Sequence, residues 1–222
     1  MKIAIYSHSI PPAVDGVSRR MTSVLDELHK AGHEVVLFTL ESDPQIEKPG
    51  TGGEKFRHVT LDSTFPPLYP TKRCGEPTLA NQRLILRELA REKPDVLHCT
   101  IDGVSGMLVL AARTLGIPVA GSVHTDIISL IRQCRMVFLV GWGSRVKEML
   151  ESLVLDSCAT TSLSFKELLR KRLVPTQHII KTGVQVKKFC PEARSQEVRE
   201  KMTFGNPDGL LVVYVGRLAP EK

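Results

Sequence analysis

Short apolar runs alternate along the chain with stretches in which apolar residues recur every three or four positions, the pattern of buried strands and amphipathic helices taken in turn. Ile3, Ala4 and Ile5 mark a strand over residues 1–6. After a loop holding Pro11, Pro12 and Gly16, the positions Val17, Met21, Val24, Leu25 and Leu28 repeat at helical spacing, starting near Val17 or Ser18. Gly32 is placed to stop that helix, since glycine accepts the left-handed conformation that ends many helices. Residues 34–40 (EVVLFTL) then read as a second buried strand.

The alternation continues. Residues 41–56 are rich in Pro, Gly and charge, and residues 62–77 carry Pro66, Pro67, Pro70 and Pro77, so both are expected as loops without regular structure. Residues 56–61 fit a short strand between them. Leu79, Leu84, Leu86 and Leu89 predict a helix within 77–93, and DVLHC at 95–99 the next strand. A helix over 104–115 ended by Gly116, a strand over 118–123 and a helical region over 127–153 broken near Gly141 and Gly143 follow. Residues 157–161 and 178–181 are weaker strands around a helix at 165–173.

Strands apolar on both faces, joined to helices by short connections, require a parallel sheet covered on both sides: a Rossmann-like, doubly wound α/β domain. This domain is expected over 1–184. Residues 185–209 break the pattern as a linker with a short helix near Glu197–Met202, and Leu210–Val215 is expected as the first buried strand of a second, incomplete domain over 210–222. In open parallel sheets ligands collect beyond the carboxyl ends of the strands, which directs attention to residues 7–17, 123–126 and 216–222.

Composition narrows the partners. The 222 residues are 42% hydrophobic, enough for a packed core. A net charge of +6 favours anionic partners, but Lys and Arg are spread along the chain and no basic run is interleaved with aromatics, so nucleic acid is not expected. Five cysteines, odd in number and without C-x-x-C or zinc-finger spacing, fit free thiols in a reducing compartment. The opening MKIAIYSHSIPP lacks a signal-peptide core, and no apolar run approaches the roughly 20 residues of a membrane span, so a cytoplasmic chain is expected.

Three positions carry candidate chemistry. Gly16 stands at a helix start, where free N–H groups attract anions and a missing side chain lets a phosphate or sugar approach; equally, Asp15 or Ser18 caps the helix and Gly16 only turns the chain. His124, at the end of a strand and followed by Thr125 and Asp126 as potential caps of the next helix, suits either a sugar or phosphate contact or a structural histidine. Arg217 and Lys222, five positions apart beyond Gly216, suit a diphosphate leaving group or a solvated basic turn. His98 is read as structural, and His8 is open between the two. No nucleophile elbow, no H-E-x-x-H, no phosphate-loop motif and no G-x-G-x-x-G occurs, which argues against hydrolases, metalloenzymes, kinases and nicotinamide-dependent dehydrogenases.

Taken in order, the opening 1–39, KPDVLHC, IPVAGSVHTD, TTSLSFKELL, TGVQVKKFCPE and LLVVYVGRLAPEK resemble glycosyltransferase family 4, the retaining transferases of the GT-B architecture, nearest to lipid-modifying sulfoquinovosyl- and mannosyl-transferases. The resemblance implies a UDP- or GDP-sugar donor, a hydroxyl acceptor such as a lipid held mainly on the N-terminal domain, and transfer of a hexosyl group without a metal or other cofactor. It implies Gly16 near the donor diphosphate, His124 beside the transferred sugar, and Arg217 with Lys222 on the phosphates. Gln185 departs from the family's frequent Asp after Thr182-Gly183-Val184. The family's spaced glutamate pair has no counterpart here, so the chain is read as a fragment that does not turn over alone. The rival reading is a non-catalytic Rossmann-like binding module. Residues 127–149, apolar with Arg132, Arg135, Arg145 and Lys147, fit a core-facing helix or a peripheral membrane contact.

Overall fold

A computed structural model of the chain describes residues 1–11, 13, 15–40, 56–65, 73–102, 104–126, 138–181, 183–206 and 208–216; within 138–153 the side chains of 138–142, 144, 145 and 151 are outside this description. The chain forms two compact units, Met1–Lys181 and Thr182–Lys222.

Among its described residues the first unit has nine strands: β1 (Lys2–Ser7), β2 (Glu34–Leu40), β3 (Arg57–Leu61), β4 (Ser63–Thr64), β5 (Cys74–Gly75), β6 (Val96–Thr100), β7 (Val119–Val123), β8 (Ser157–Thr160) and β9 (His178–Ile179). Its helices are α1 (Gly16–Lys30), α2 (Leu79–Glu92), α3 (Ser105–Thr114), α4 (Phe138–Leu153) and α5 (Leu163–Lys171). Seven strands form one sheet in the order β3, β2, β1, β6, β7, β8, β9, and every neighbouring pair is parallel. β4 and β5 pair antiparallel inside the stretch expected to be irregular. The prolines at 66, 67 and 70 lie between these strands, so neither ladder segment needs a proline N–H.

Alternate residues of the central strands enter opposite cores, as the twofold side-chain period requires. Ala4 and Tyr6 pack with Val36, Phe38, Leu97 and Cys99 against Ile85 and Leu89 of α2 and Leu108 and Ala112 of α3. Ile5 packs with Val35 and Leu37 against Met21 and Leu25 of α1. Both sheet faces are therefore dry, which is why residues 34–40 read as unbroken apolar sequence. Helix starts are set by side chains: Asp15, Thr78 and Ser162 accept from the amides of Ser18, Asn81 and Phe165. Helix α1 ends at Gly32 with φ 76°, and Gly116 follows α3 with φ 69°; both positions use the left-handed region that glycine occupies without strain.

Two further expectations are corrected. Helix α4 runs unbroken through Gly141 and Gly143: a helical glycine costs about 1 kcal/mol relative to alanine, less than the rest of a 16-residue helix can supply. In the second unit, the short helix is present as α6 (Gln196–Met202) after a 3₁₀ turn at Pro191–Ala193, but Leu210–Val215 forms no strand among the described residues. Leu210, Val212 and Val215 are 95%, 85% and 91% exposed. An apolar run becomes a strand only when another strand takes up its N–H and C=O groups, and no described residue does so for this one.

No helix among the described residues is long and apolar enough to cross a membrane. Residues 127–137, about half of the stretch that fits either a core-facing helix or a peripheral membrane contact, lie outside the described residues.

Candidate functional site

The chain leaves β1 toward β2 on one side and occupies β6 on the other, so the connections diverge between β1 and β6. Their carboxyl ends, with that of β7, frame the crevice in which a sheet of this topology takes ligands.

The loop after β1 is folded by its own hydroxyls. Ser7 Oγ donates to the carbonyl of Ser9 at 2.8 Å, and Ser9 Oγ donates to Asp15 Oδ2 at 2.7 Å. Asp15 Oδ1 accepts from the Ser18 amide at 2.9 Å, so the capping role is realised and Gly16 becomes the first residue of α1. Gly16 is exposed, and a Cβ built on it meets nothing within 4 Å.

One turn further, Arg20 lies on the same helix face but turns inward. Its Nη2 donates to the Ile180 carbonyl at 2.6 Å, and its Nη1 lies 3.5 Å from His124 Nδ1. A guanidinium only donates, so Nδ1 of His124 accepts and its proton resides on Nε2, which donates to Ser122 Oγ at 2.8 Å. Burial first, then the positive charge of Arg20 and the neighbouring His98 and His8, holds the His124 imidazole down at about 4. The same two leading causes bring His98 to about 4, and both rings are neutral near pH 7. Burial also lowers Arg20 from its usual range, and it remains a cation at neutral pH.

A second cluster surrounds Asp102, two residues beyond β6. Tyr6 Oη donates to both carboxylate oxygens at 3.0 and 3.1 Å, the Val104 amide reaches Oδ1 at 3.3 Å, and His8 Nδ1 lies 3.0 Å from Oδ2. Lys147 of α4 donates to the Asp102 carbonyl. Asp126, one of two potential caps with Thr125, forks Arg172 at 2.6 and 3.0 Å, fastening the loop after β7 to the end of α5; the helix start it was read to cap lies outside the described residues.

Gly16 and His124 thus sit on one edge of the sheet, linked through Arg20. Arg217 and Lys222 lie outside the described residues. Sequence alone did not single out Arg20, Tyr6 or Asp102, and it marked Lys147 only as one of the basic residues of 127–149. Arg20 had a signal: it occupies a core-facing position in the series Val17, Met21, Val24, Leu25, where a cation needs buried partners. Asp102 had one too, at the exit of a strand beside the divergence point. Among the described residues no group of three or more His, Cys, Asp or Glu side chains could hold a metal ion.

A seven-stranded parallel sheet with helices on both faces and polar side chains at its carboxyl edge defines a Rossmann-like α/β domain. Residues 14–188 match Glycosyltransferase Family 4, and the chain belongs to that family. It is 29% identical to a GDP-mannose-dependent alpha-mannosyltransferase of Mycobacterium tuberculosis, covering all of this chain and 57% of that protein. It is 28% identical to the sulfoquinovosyl transferase SQD2 of Arabidopsis thaliana, covering all of this chain and 42% of that protein. The chain therefore spans about half the length of these relatives. Among solved structures, a sucrose-phosphate synthase of Thermosynechococcus elongatus superposes with a TM-score of 0.62 at 17% identity, over 91% of this chain and 52% of that one.

Proposed function

We propose that the chain is the acceptor-side part of a glycosyltransferase that moves a hexosyl group from a UDP- or GDP-sugar to a hydroxyl acceptor, with a lipid as the favoured acceptor class. The observation that supports this reading most is the family match over residues 14–188, which takes in Gly16 and His124 at one sheet edge. The relatives named for mannosyl and sulfoquinovosyl transfer point to the donor class.

The chemistry proposed is front-face substitution with retention. The bond from the anomeric carbon to the diphosphate breaks, the acceptor oxygen bonds on the same face, and the acceptor's proton passes to a leaving phosphate oxygen. The protein contributes position and charge. The open start of α1 at Gly16 admits the donor diphosphate, His124 exchanges Ser122 for a sugar hydroxyl as the partner of its Nε2–H, and Arg217 and Lys222 neutralise the departing phosphates. No metal takes part, and association with a membrane is peripheral, through the basic and apolar residues of 127–149.

The test is transfer of labelled sugar from GDP-mannose, UDP-glucose and UDP-sulfoquinovose to dioleoylglycerol, phosphatidylinositol and methyl glycosides by the longest product of the gene, with and without EDTA. Transfer unchanged by EDTA, with His124→Ala slower by about tenfold or more, about 1.4 kcal/mol in barrier, supports the reading. Nucleotide-sugar binding without transfer to any acceptor favours a binding module instead.

A further inference from the structure

Asp102 accepts from the Tyr6 hydroxyl, the Val104 amide and His8, so its carboxylate is held in one orientation. Tyr6 is fully buried, and burial, reinforced by the Asp102 charge and hydrogen bond, lifts its phenol well above the ordinary tyrosine range; it stays a donor. A carboxylate supplied with these donors acts as an acceptor, and Nδ1 of His8 must therefore carry a hydrogen to lie 3.0 Å from Oδ2. The Thr100 hydroxyl, 3.4 Å from the same nitrogen, already donates to the Tyr6 carbonyl at 3.3 Å and leaves its lone pairs toward the ring. With the proton fixed on Nδ1, the lone pair of His8 is on Nε2, directed away from Asp102.

That nitrogen has no hydrogen-bond partner among the described residues, and the His8 side chain is 19% exposed against 11% for Asp102. The ring stands after β1 and its carboxylate after β6, where the connections of the sheet diverge. The pair presents one acceptor atom, held in place from behind, at the carboxyl ends of β1 and β6. An anion is disfavoured there by the Asp102 charge. A metal ion lacks a third His, Cys, Asp or Glu among the described residues. A neutral alcohol, which brings a hydrogen to donate, fits.

Resting on the glycosyltransferase reading, we propose that His8 Nε2 is the binding site for an alcohol hydroxyl of the acceptor, with Asp102 and Tyr6 as positioning residues that fix the ring's tautomer and orientation. His8 and His124 then divide the crevice between acceptor and donor sugar.

The experiment uses the chain labelled with ¹⁵N at its histidine rings and two probes, glycerol and methyl α-D-glucopyranoside, with inorganic phosphate as the control. Long-range ¹H–¹⁵N spectra are expected to show His8 protonated on Nδ1, with a saturable shift of Nε2 on adding either alcohol and none on adding phosphate. His8→Leu is expected to weaken alcohol binding at least about tenfold, while His8→Gln, whose amide oxygen falls near the position of Nε2, stays within about threefold. Unchanged His98 and His124 resonances verify that each variant is folded. The proposal is overturned by an Nε2-protonated His8, by the absence of a saturable shift up to molar glycerol, or by equal binding in His8→Leu. Sugar transfer by the longest gene product with an acceptor KM indifferent to His8→Leu would remove this inference and leave the enzyme reading standing. Alcohol binding at His8 without transfer from any nucleotide-sugar would do the reverse.

Discussion

Arg20 of α1 and His124 beyond β7 are 104 positions apart in sequence and meet at 3.5 Å, joining the helix that starts at Gly16 to the imidazole at the strand tip. The same guanidinium holds the Ile180 carbonyl at 2.6 Å, just after β9, so one side chain fastens three segments of the carboxyl edge.

Replacing Arg20 by Met keeps most of the volume and removes both contacts. The Ile180 carbonyl loses its donor in a partly buried place, and a loss of about 1–3 kcal/mol in urea unfolding is expected. Titration by NMR should show His98 and His124 rising from about 4 but stopping short of 6.5, because burial is the larger cause of both shifts. A full return to 6.5 would mean that the Arg20 charge dominates.

The two histidines also set a pH dependence. Their folded values lie below the value of 6.5 for a free imidazole, so between pH 6.5 and 4 the unfolded chain binds more protons than the folded one. Stability from this source is complete above about pH 6.5 and falls as pH drops through 4. By pH 5 the loss is on the order of 2 kcal/mol for each ring, an upper figure because both keep some contact with water. Guanidinium unfolding at pH 7.5 and 5.0 measures it, and His98→Asn should remove about half of the difference.

Gly16→Ala separates the two uses of a helix-start glycine. Its φ is not left-handed and the added Cβ meets nothing within 4 Å, so the melting temperature should hold or rise by the equivalent of up to about 1 kcal/mol. Calorimetric titration of the longest gene product with GDP-mannose and UDP-glucose should show about tenfold weaker binding. Equal affinity would leave Gly16 as a helix start and nothing more.

At Gly121 of β7 the outcome differs. A Cβ there falls 2.4 Å from Leu155 Cδ1 and 3.1 Å from Ile101 Cδ1. Gly121→Ala should destabilise by about 1–3 kcal/mol in urea, because the tip of Leu155 can turn aside but its packing cannot be kept. Adding Leu155→Ala makes room, and the double variant should be more stable than the sum of the single losses predicts.

The succession of strands and helices was legible because each element carries its own periodicity. Residues 34–40 were bounded in sequence as they stand in β2, since a strand dry on both faces leaves an unbroken apolar run with polar residues at its limits. The caps at Asp15, Thr78 and Ser162 have similarly local causes. Gly141 and Gly143 misled because a local penalty was weighed without the helix around it. Leu210–Val215 misled because strand-forming sequence is not yet a strand.

By itself the sequence determined which segments bury their faces, that the sheet is parallel, and that His124 and Gly16 stand at the ends of elements where ligands gather. These follow from side-chain period and from chain connectivity, both written in consecutive residues. Only the tertiary structure decided that Arg20 turns inward to His124, that Tyr6 and His8 converge on Asp102, and that Asp126 holds Arg172. Those pairings join residues 46 to 104 positions apart, and partner choice at such separations is fixed by strand order and helix packing together, which no local stretch of the chain encodes.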